Sequence, residues 1–405
     1  MAALALLASL SAYLLTAGQP DIAPYSQPSR PIRLLSSSHE VRFPDEVVFR
    51  LEAEAHSPIT EVTLFYSVGG QRVKRYGYPS FAPGARVATD FSLKTGGASY
   101  LPSGVDIEFY YEIGDTAGNT LSTEPASLEY RDPRYDWQEL RHGSLVMVWH
   151  DLPAGRVMDV AAEVDRRLDD VKRVVGLQES SSIKAVVVNS RREADIVFPF
   201  LSEAARRGHL YGGFAMREFD LFILAGLSAD GMVHEAAHLL LNQALASRLA
   251  RVPAWLNEGL AMYFETGSHG RAATLARGAR RGRLMGLGAM NTVPGRPDDV
   301  RMFYAQSWSV VKYMIDAYGP ERMTALVHGI GSGQGFEQAL TQTYGMGLEE
   351  LERRWRDEAI GTTSIVPRPD PGTIGTSIII AVAIAIAAVV TAYGWRSGKG
   401  EPLDP

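Results

Sequence analysis

His234-Glu235-Ala236-Ala237-His238, followed twenty positions later by Glu258 within Trp255-Leu256-Asn257-Glu258-Gly259-Leu260, decides how this chain is read. On one helix, residues i and i+4 are separated by about 40° of rotation, so His234 and His238 aim their imidazoles at a common point. Two neutral ring nitrogens at that spacing make half of a tetrahedral zinc site. A catalytic zinc takes a third protein ligand and leaves one position for water. Glu258, on a second helix folded back antiparallel, can deliver that third ligand. Glu235 is then free to act as the base. The competing reading is a helix whose histidines only pack. Val233 before the motif and Leu239, Leu240 and Leu241 after it describe a helix buried in a core with one polar stripe. Pro253 supplies a starting signal for the second helix.

The His-Glu-x-x-His motif with a downstream Asn257-Glu258-Gly259-Leu260-Ala261 resembles the gluzincin metallopeptidases, most closely their membrane-associated peptidase MA-like group. Asp132-Pro133-Arg134-Tyr135-Asp136-Trp137 looks like that group's junction between a β-domain and the peptidase domain, and Tyr304-Ala305-Gln306-Ser307 looks like its post-catalytic helix. The resemblance covers most of residues 40–360, and the zinc motif is its only highly specific part. It implies one Zn2+ per chain, held by His234, His238 and Glu258, with Glu235 moving the proton of the attacking water. Asn257 resembles the asparagine that supports a zinc-bound histidine in thermolysin-like enzymes. The aspartate those enzymes carry four residues after the ligand glutamate is Met262 here. Glu265, seven residues after Glu258, is expected to take that supporting role in the manner of the aminopeptidase branch; an ordinary exposed helix-end glutamate is the alternative. Tyr304 stands where related enzymes keep a tyrosine that stabilises the developing oxyanion. Packing of Phe303, Tyr304 and Trp308 as core aromatics is the other reading, and His209 and Tyr211 are weaker candidates for the same task.

A chain of 405 residues can bury two ordinary cores. A net charge of −6 argues against nucleic acid as the main partner. With no cysteine, disulfides, a Cys-ligated zinc and a thiol nucleophile are excluded. The basic run Arg271, Arg277, Arg280, Arg281 and Arg283 reads as a solvated helix face. The expected partner is a peptide or protein substrate; oligomeric state has no signal here.

Two apolar ends set an expectation for location. Residues 1–18 read as a signal peptide or N-terminal anchor, without the Lys or Arg that usually precedes one. Residues 362–375 read as a linker, 376–395 as a transmembrane helix ending at Trp395, and 396–405 as a cytoplasmic tail with Arg396 and Lys399. Together they predict a single-pass protein of the cell membrane, its peptidase domain outside the cytoplasm.

Between the ends the pattern changes once. From Glu40 to Tyr130 period-two runs, such as Val41, Phe43, Val47, Phe49 and Leu51 and then Ile59 to Tyr66, alternate with turns at Gly69-Gly70, Pro83-Gly84 and Asp115 to Asn119. About seven strands predict an immunoglobulin- or fibronectin-like β-sandwich over 23–135. From Gly143 strands and helices alternate: strands at Leu145–Trp149 and Ile183–Val188, helices at 157–174 and 194–207 with Pro199 breaking the latter, and one or two strands over 212–224. Exposed backbone on that last strand could hold an extended peptide by β-addition. The fold class is therefore α+β: a β-sandwich, a zincin-type peptidase domain over 143–361, and a C-terminal transmembrane helix. The rival functional reading is a surface binding or scaffolding protein whose peptidase domain is vestigial.

Overall fold

The computed structural model describes residues 31–199, 212–245, 247, 250–267 and 270–361. Among them, seven antiparallel strands come first: β1 (Ile32–Arg42), β2 (Glu46–Val68), β3 (Arg75–Gly77), β4 (Gly84–Lys94), β5 (Val105–Asp115), β6 (Thr120–Ser122) and β7 (Ala126–Tyr130). The number of strands matches the periodicity, but their arrangement differs from two separate sheets. β2 runs for 23 residues, pairing β1 and β4 along its first half and β3 and β5 along its second, so all seven strands belong to one hydrogen-bonded sheet. The handover falls at a register shift between Glu54 and Ile59, where Pro58 has no N–H to donate. The halves then pack face to face, with Phe49 of β2 edge-on to Phe109 of β5 at 4.8 Å. Val47, Phe49, Leu51 and Ala53, alternating on one face, supply that core.

The second region is built on a five-stranded sheet in the order β11-β12-β10-β9-β8. Its strands are β8 (Gln138–His142), β9 (Leu145–Trp149), β10 (Ile183–Val188), β11 (Gly213–Met216) and β12 (Leu221–Ala225). β9, β10 and β12 are parallel, and antiparallel β8 and β11 close the two sides. Helix α1 (Ala154–Val175) crosses between β9 and β10, and α2 (Arg191–Val197) follows β10. α2 starts earlier than the helix expected over 194–207 and ends at Val197, two residues before Pro199; residues 200–207 of that expectation, with His209 and Tyr211, lie outside the described residues. After β12 the chain is helical: α3 (Ala229–Leu245), α4 (Ala254–Tyr263), α5 (Arg271–Arg280), α6 (Pro297–Tyr318), α7 (Pro320–Gly331), α8 (Phe336–Tyr344) and α9 (Leu348–Trp355). α3 is enclosed by α1, α4 and the sheet, which is why its sequence is apolar nearly all round.

Contacts join the two regions. Lys184 Nζ on β10 donates to the Gly104 carbonyl at 2.8 Å and reaches Asp106 at 3.2 Å and Glu129 at 3.3 Å. Phe219, in the 3-10 turn Arg217–Phe219 between β11 and β12, lies against Gly69 so closely that a methyl group there would stand 2.3 Å from its ring. Gly69 also has φ +59°, the left-handed region that favours glycine.

One expectation is corrected. Among the described residues no helix is long and apolar enough to cross a membrane. A span needs about 20 consecutive apolar residues. α1 and α6 have the length at 22 residues each, but α1 carries Arg156, Asp159, Glu163, Arg166 and Arg167, and α6 carries Asp298, Arg301, Lys312 and Asp316. The transmembrane helix in the expected fold, and the single-pass membrane location drawn from it, are therefore unsupported. The segments on which they rested, 1–18 and 376–395, lie outside the described residues.

Candidate active site

Two buried helices meet at the site. Asp230, in the first turn of α3, accepts the Thr266 N–H at 2.9 Å and the Arg167 guanidinium at 2.5 Å, which ties the start of α3 to the chain leaving α4. α4 in turn lies hard against α6: a methyl group on Gly259 would be 2.4 Å from the Ser307 carbonyl oxygen. Glycine there lets the helix carrying Glu258 sit in the core at the depth of α3.

At that depth His234 Nε2 and His238 Nε2 are 3.3 Å apart, and each is 3.7 Å from Glu258 Oε2. All three side chains are 2 % exposed or less. Bonds of about 2.0–2.1 Å in a tetrahedral zinc site place ligand atoms about 3.4 Å apart, so this triangle fits a single ion. Both Glu258 oxygens are buried without a protein hydrogen bond, a costly arrangement for a carboxylate unless a cation answers it. Electrostatics agree. Burial opposes charge on Glu258, yet the His238 and His234 imidazoles outweigh it and hold the carboxyl below its usual range. Burial likewise opposes charge on His234, but Glu258 and Glu265 raise it to about 10, while burial takes His238 down to about 4.

The other ring nitrogens are occupied. His234 Nδ1 is 2.8 Å from Glu265 Oε1, and His238 Nδ1 is 3.1 Å from Asn257 Oδ1. In the tautomer that donates Nδ1–H outward to these oxygens, each Nε2 would present a lone pair to a metal at the centre. Glu265 is itself held by Arg271 Nη1 at 2.6 Å, and the Arg271 guanidinium lies 5.5 Å over the Trp308 ring. Arg271 thus departs from the solvated face read for the basic run: it is 9 % exposed, whereas Arg281 and Arg283 are exposed. A charge run does not reveal which member turns inward; the signal was Glu265 six residues earlier.

Glu235 projects from the same helix toward β11. Gly213 leaves room for it, since a methyl group there would meet Oε1 at 2.7 Å. The Ala215 backbone hydrogen-bonds the carboxylate, while Oε2 is buried with no protein partner. Burial is the main reason its pKa rises to about 7. Tyr304 is buried on α6, edge-on to Phe303 at 5.4 Å and one turn before Ser307, the residue against Gly259. Arg217 escaped the sequence reading. It follows β11 and acts electrostatically on both His238 and Glu258.

Residues 211–361 match the family model of the Peptidase MA superfamily. That span contains the His-His-Glu cluster, Glu235, Asn257, Glu265 and Tyr304; it supports a gluzincin-type metallopeptidase and the zinc expected of one. No curated protein matches the chain. Among solved structures, an M1 zinc metallopeptidase from Deinococcus radiodurans is 14 % identical over 81 % of this chain and 93 % of its own, with TM-score 0.36. An aminopeptidase N family protein from Idiomarina loihiensis is 10 % identical over 76 % of this chain and 73 % of its own, with TM-score 0.38. A carbohydrate-binding module family 56 β-1,3-glucan binding domain is 17 % identical over 23 % of this chain and 96 % of its own, with TM-score 0.16. Likenesses at these scores carry no inference about activity.

Proposed function

We propose that the protein hydrolyses peptide bonds as a zinc metallopeptidase, with His234, His238 and Glu258 as ligands. The observation that carries this reading is the triangle of two imidazole nitrogens and one unpartnered buried carboxylate oxygen, with sides of 3.3 and 3.7 Å. A zinc ion held there supplies Lewis-acid polarisation and lowers the pKa of a ligated water. Glu235 takes the proton of the attacking water on Oε2 and returns it to the leaving amine; a pKa near neutrality suits both directions of transfer. Glu265 and Asn257 keep the two imidazoles in the tautomer that binds metal. Burial of the whole set excludes bulk water and strengthens each of these electrostatic interactions.

The test measures metal content and peptide hydrolysis on the full chain and on Glu235→Gln. The expected result is one zinc per chain in both, with hydrolysis of a mixed peptide library reduced about 10²–10⁴-fold in the variant. Undiminished hydrolysis by Glu235→Gln would remove Glu235 from the mechanism, and a parent chain that binds no zinc would remove the metallopeptidase reading.

A further inference from the structure

Side chains on β11 alternate between faces, and Gly213 marks which face looks at the site, because its absent Cβ points at the Glu235 carboxylate. Ala215 shares that face, and Arg217 opens the 3-10 turn Arg217–Phe219 that follows β11 and packs against α3. The turn carrying Arg217 is fixed at its far end: Phe219 is wedged against Gly69, the Asp220 carbonyl accepts from the Lys184 N–H at 2.9 Å, and Asp220 Oδ1 accepts from Gln243 at 3.0 Å. Arg217 is half-buried on that turn, and its charge acts on His238 and Glu258. Among the described residues no carboxylate hydrogen-bonds it; Glu258 acts on it only through space. Arg251, on the segment leading into α4, adds a second positive charge against it, and burial together with Arg251 pulls the Arg217 pKa below its usual range. A partly desolvated guanidinium near another cation is stabilised by an anion that accepts its forked N–H groups.

We infer that Arg217 recognises a carboxylate on the substrate, within a residue or two of the bond that is cut, so that the site selects peptides bearing a C-terminal carboxylate or an acidic side chain there. This rests on the peptidase reading and narrows its substrate class. A site built around a charged hydrogen bond discriminates strongly against analogues that lack the partner, because the buried group is then left unanswered. Arg217 would be a specificity residue, whereas zinc binding and proton transfer stay with His234, His238, Glu258 and Glu235.

The experiment uses the zinc-loaded full chain and one peptide frame in four forms: free acid, C-terminal amide, amide with an internal Glu, and amide with Gln in its place. Hydrolysis is measured on the parent, Arg217→Gln and Arg217→Lys. Binding of the same peptides is measured on Glu235→Gln with and without Arg217→Gln. Preference for a carboxylate-bearing form over its neutral twin is expected at about 10–100-fold in kcat/KM and in Kd. It should fall toward one in Arg217→Gln and persist in part in Arg217→Lys, with zinc content unchanged throughout. A preference for the free acid assigns the group to the C-terminus, and a preference for internal Glu assigns it to a side chain. Equal handling of charged and neutral forms by the parent, a preference that survives Arg217→Gln, or no binding of any of the four peptides would each overturn the inference. Carboxylate-selective binding without any hydrolysis would sink the peptidase reading and leave this one standing.

Discussion

The strand-built region and the helical region bury polar groups in opposite ways. In the first, Asp115 accepts the Ala117 and Asn119 N–H groups at 3.0 and 2.9 Å and the Asn119 amide at 2.9 Å, so it closes its own turn. Thr95 donates to the Pro44 carbonyl and accepts from Tyr130, both at 3.0 Å. The buried hydroxyls left over there, on Ser103 and Tyr111, are neutral. In the second region the leftover atoms include both oxygens of Glu258 and one of Glu235, which are ionisable, adjacent and enclosed. An unsatisfied hydroxyl is a modest penalty, but an unsatisfied carboxylate demands a partner. The comparison therefore singles out Glu258 and Glu235 by unmet charge, independently of any motif.

The contrast can be broken most severely at Glu258. Glu258→Ala should lower zinc affinity beyond the about 10–100-fold typical of losing an outer partner, and abolish hydrolysis with it. Amide exchange protection should fall in α3 and α4 and stay unchanged in β1 to β7. If the variant held zinc as tightly as the parent, the demand ascribed to that carboxylate would be imaginary. Tyr304→Phe comes next. If the hydroxyl donates to the developing oxyanion, kcat falls about 10²–10³-fold with KM and zinc content little changed; an unchanged kcat would make Tyr304 a packing residue. Glu265→Gln should weaken zinc binding about 10–100-fold, because the amide no longer draws the His234 Nδ1 proton outward with full charge. Metal titration against a competing chelator reads this directly, and affinity equal to the parent's would discard the supporting role. The smallest effect sharpens the comparison from the other side. Thr95→Val removes two neutral hydrogen bonds and should lower stability by about 1–2 kcal/mol in urea unfolding. Zinc content and kcat should not move; a changed kcat would show that the two regions are not separable in this way.

How much of this was legible depended on whether the signal was local. His234 and His238 share a helix face by spacing alone, and Glu258 follows at a distance one helical return can bridge, so the cluster could be read directly. The strand count was legible from period-two alternation, but the length of β2 was not. Pro58 and its polar neighbours look like an end to the strand, and only tertiary pairing to β4 on one side and β5 on the other carries the chain through. Hidden in the same way, the hairpin at Asp45 splits the apolar run from Val41 to Leu51 between β1 and β2. Arg271 was hidden inside a charge run and Arg217 carries no periodicity; the first acquires meaning from its ion pair with Glu265 and the second from the charge it shares a field with, Glu258.

The wedge of Phe219 against Gly69 has a mechanical consequence. It places one end of the turn carrying Arg217 in the grip of the strand-built region, so that region braces the turn rather than standing apart from it. On the proposed reading, displacing the loop at the tip of β2 would change which peptides are accepted while His234, His238, Glu258 and Glu235 stay where they are.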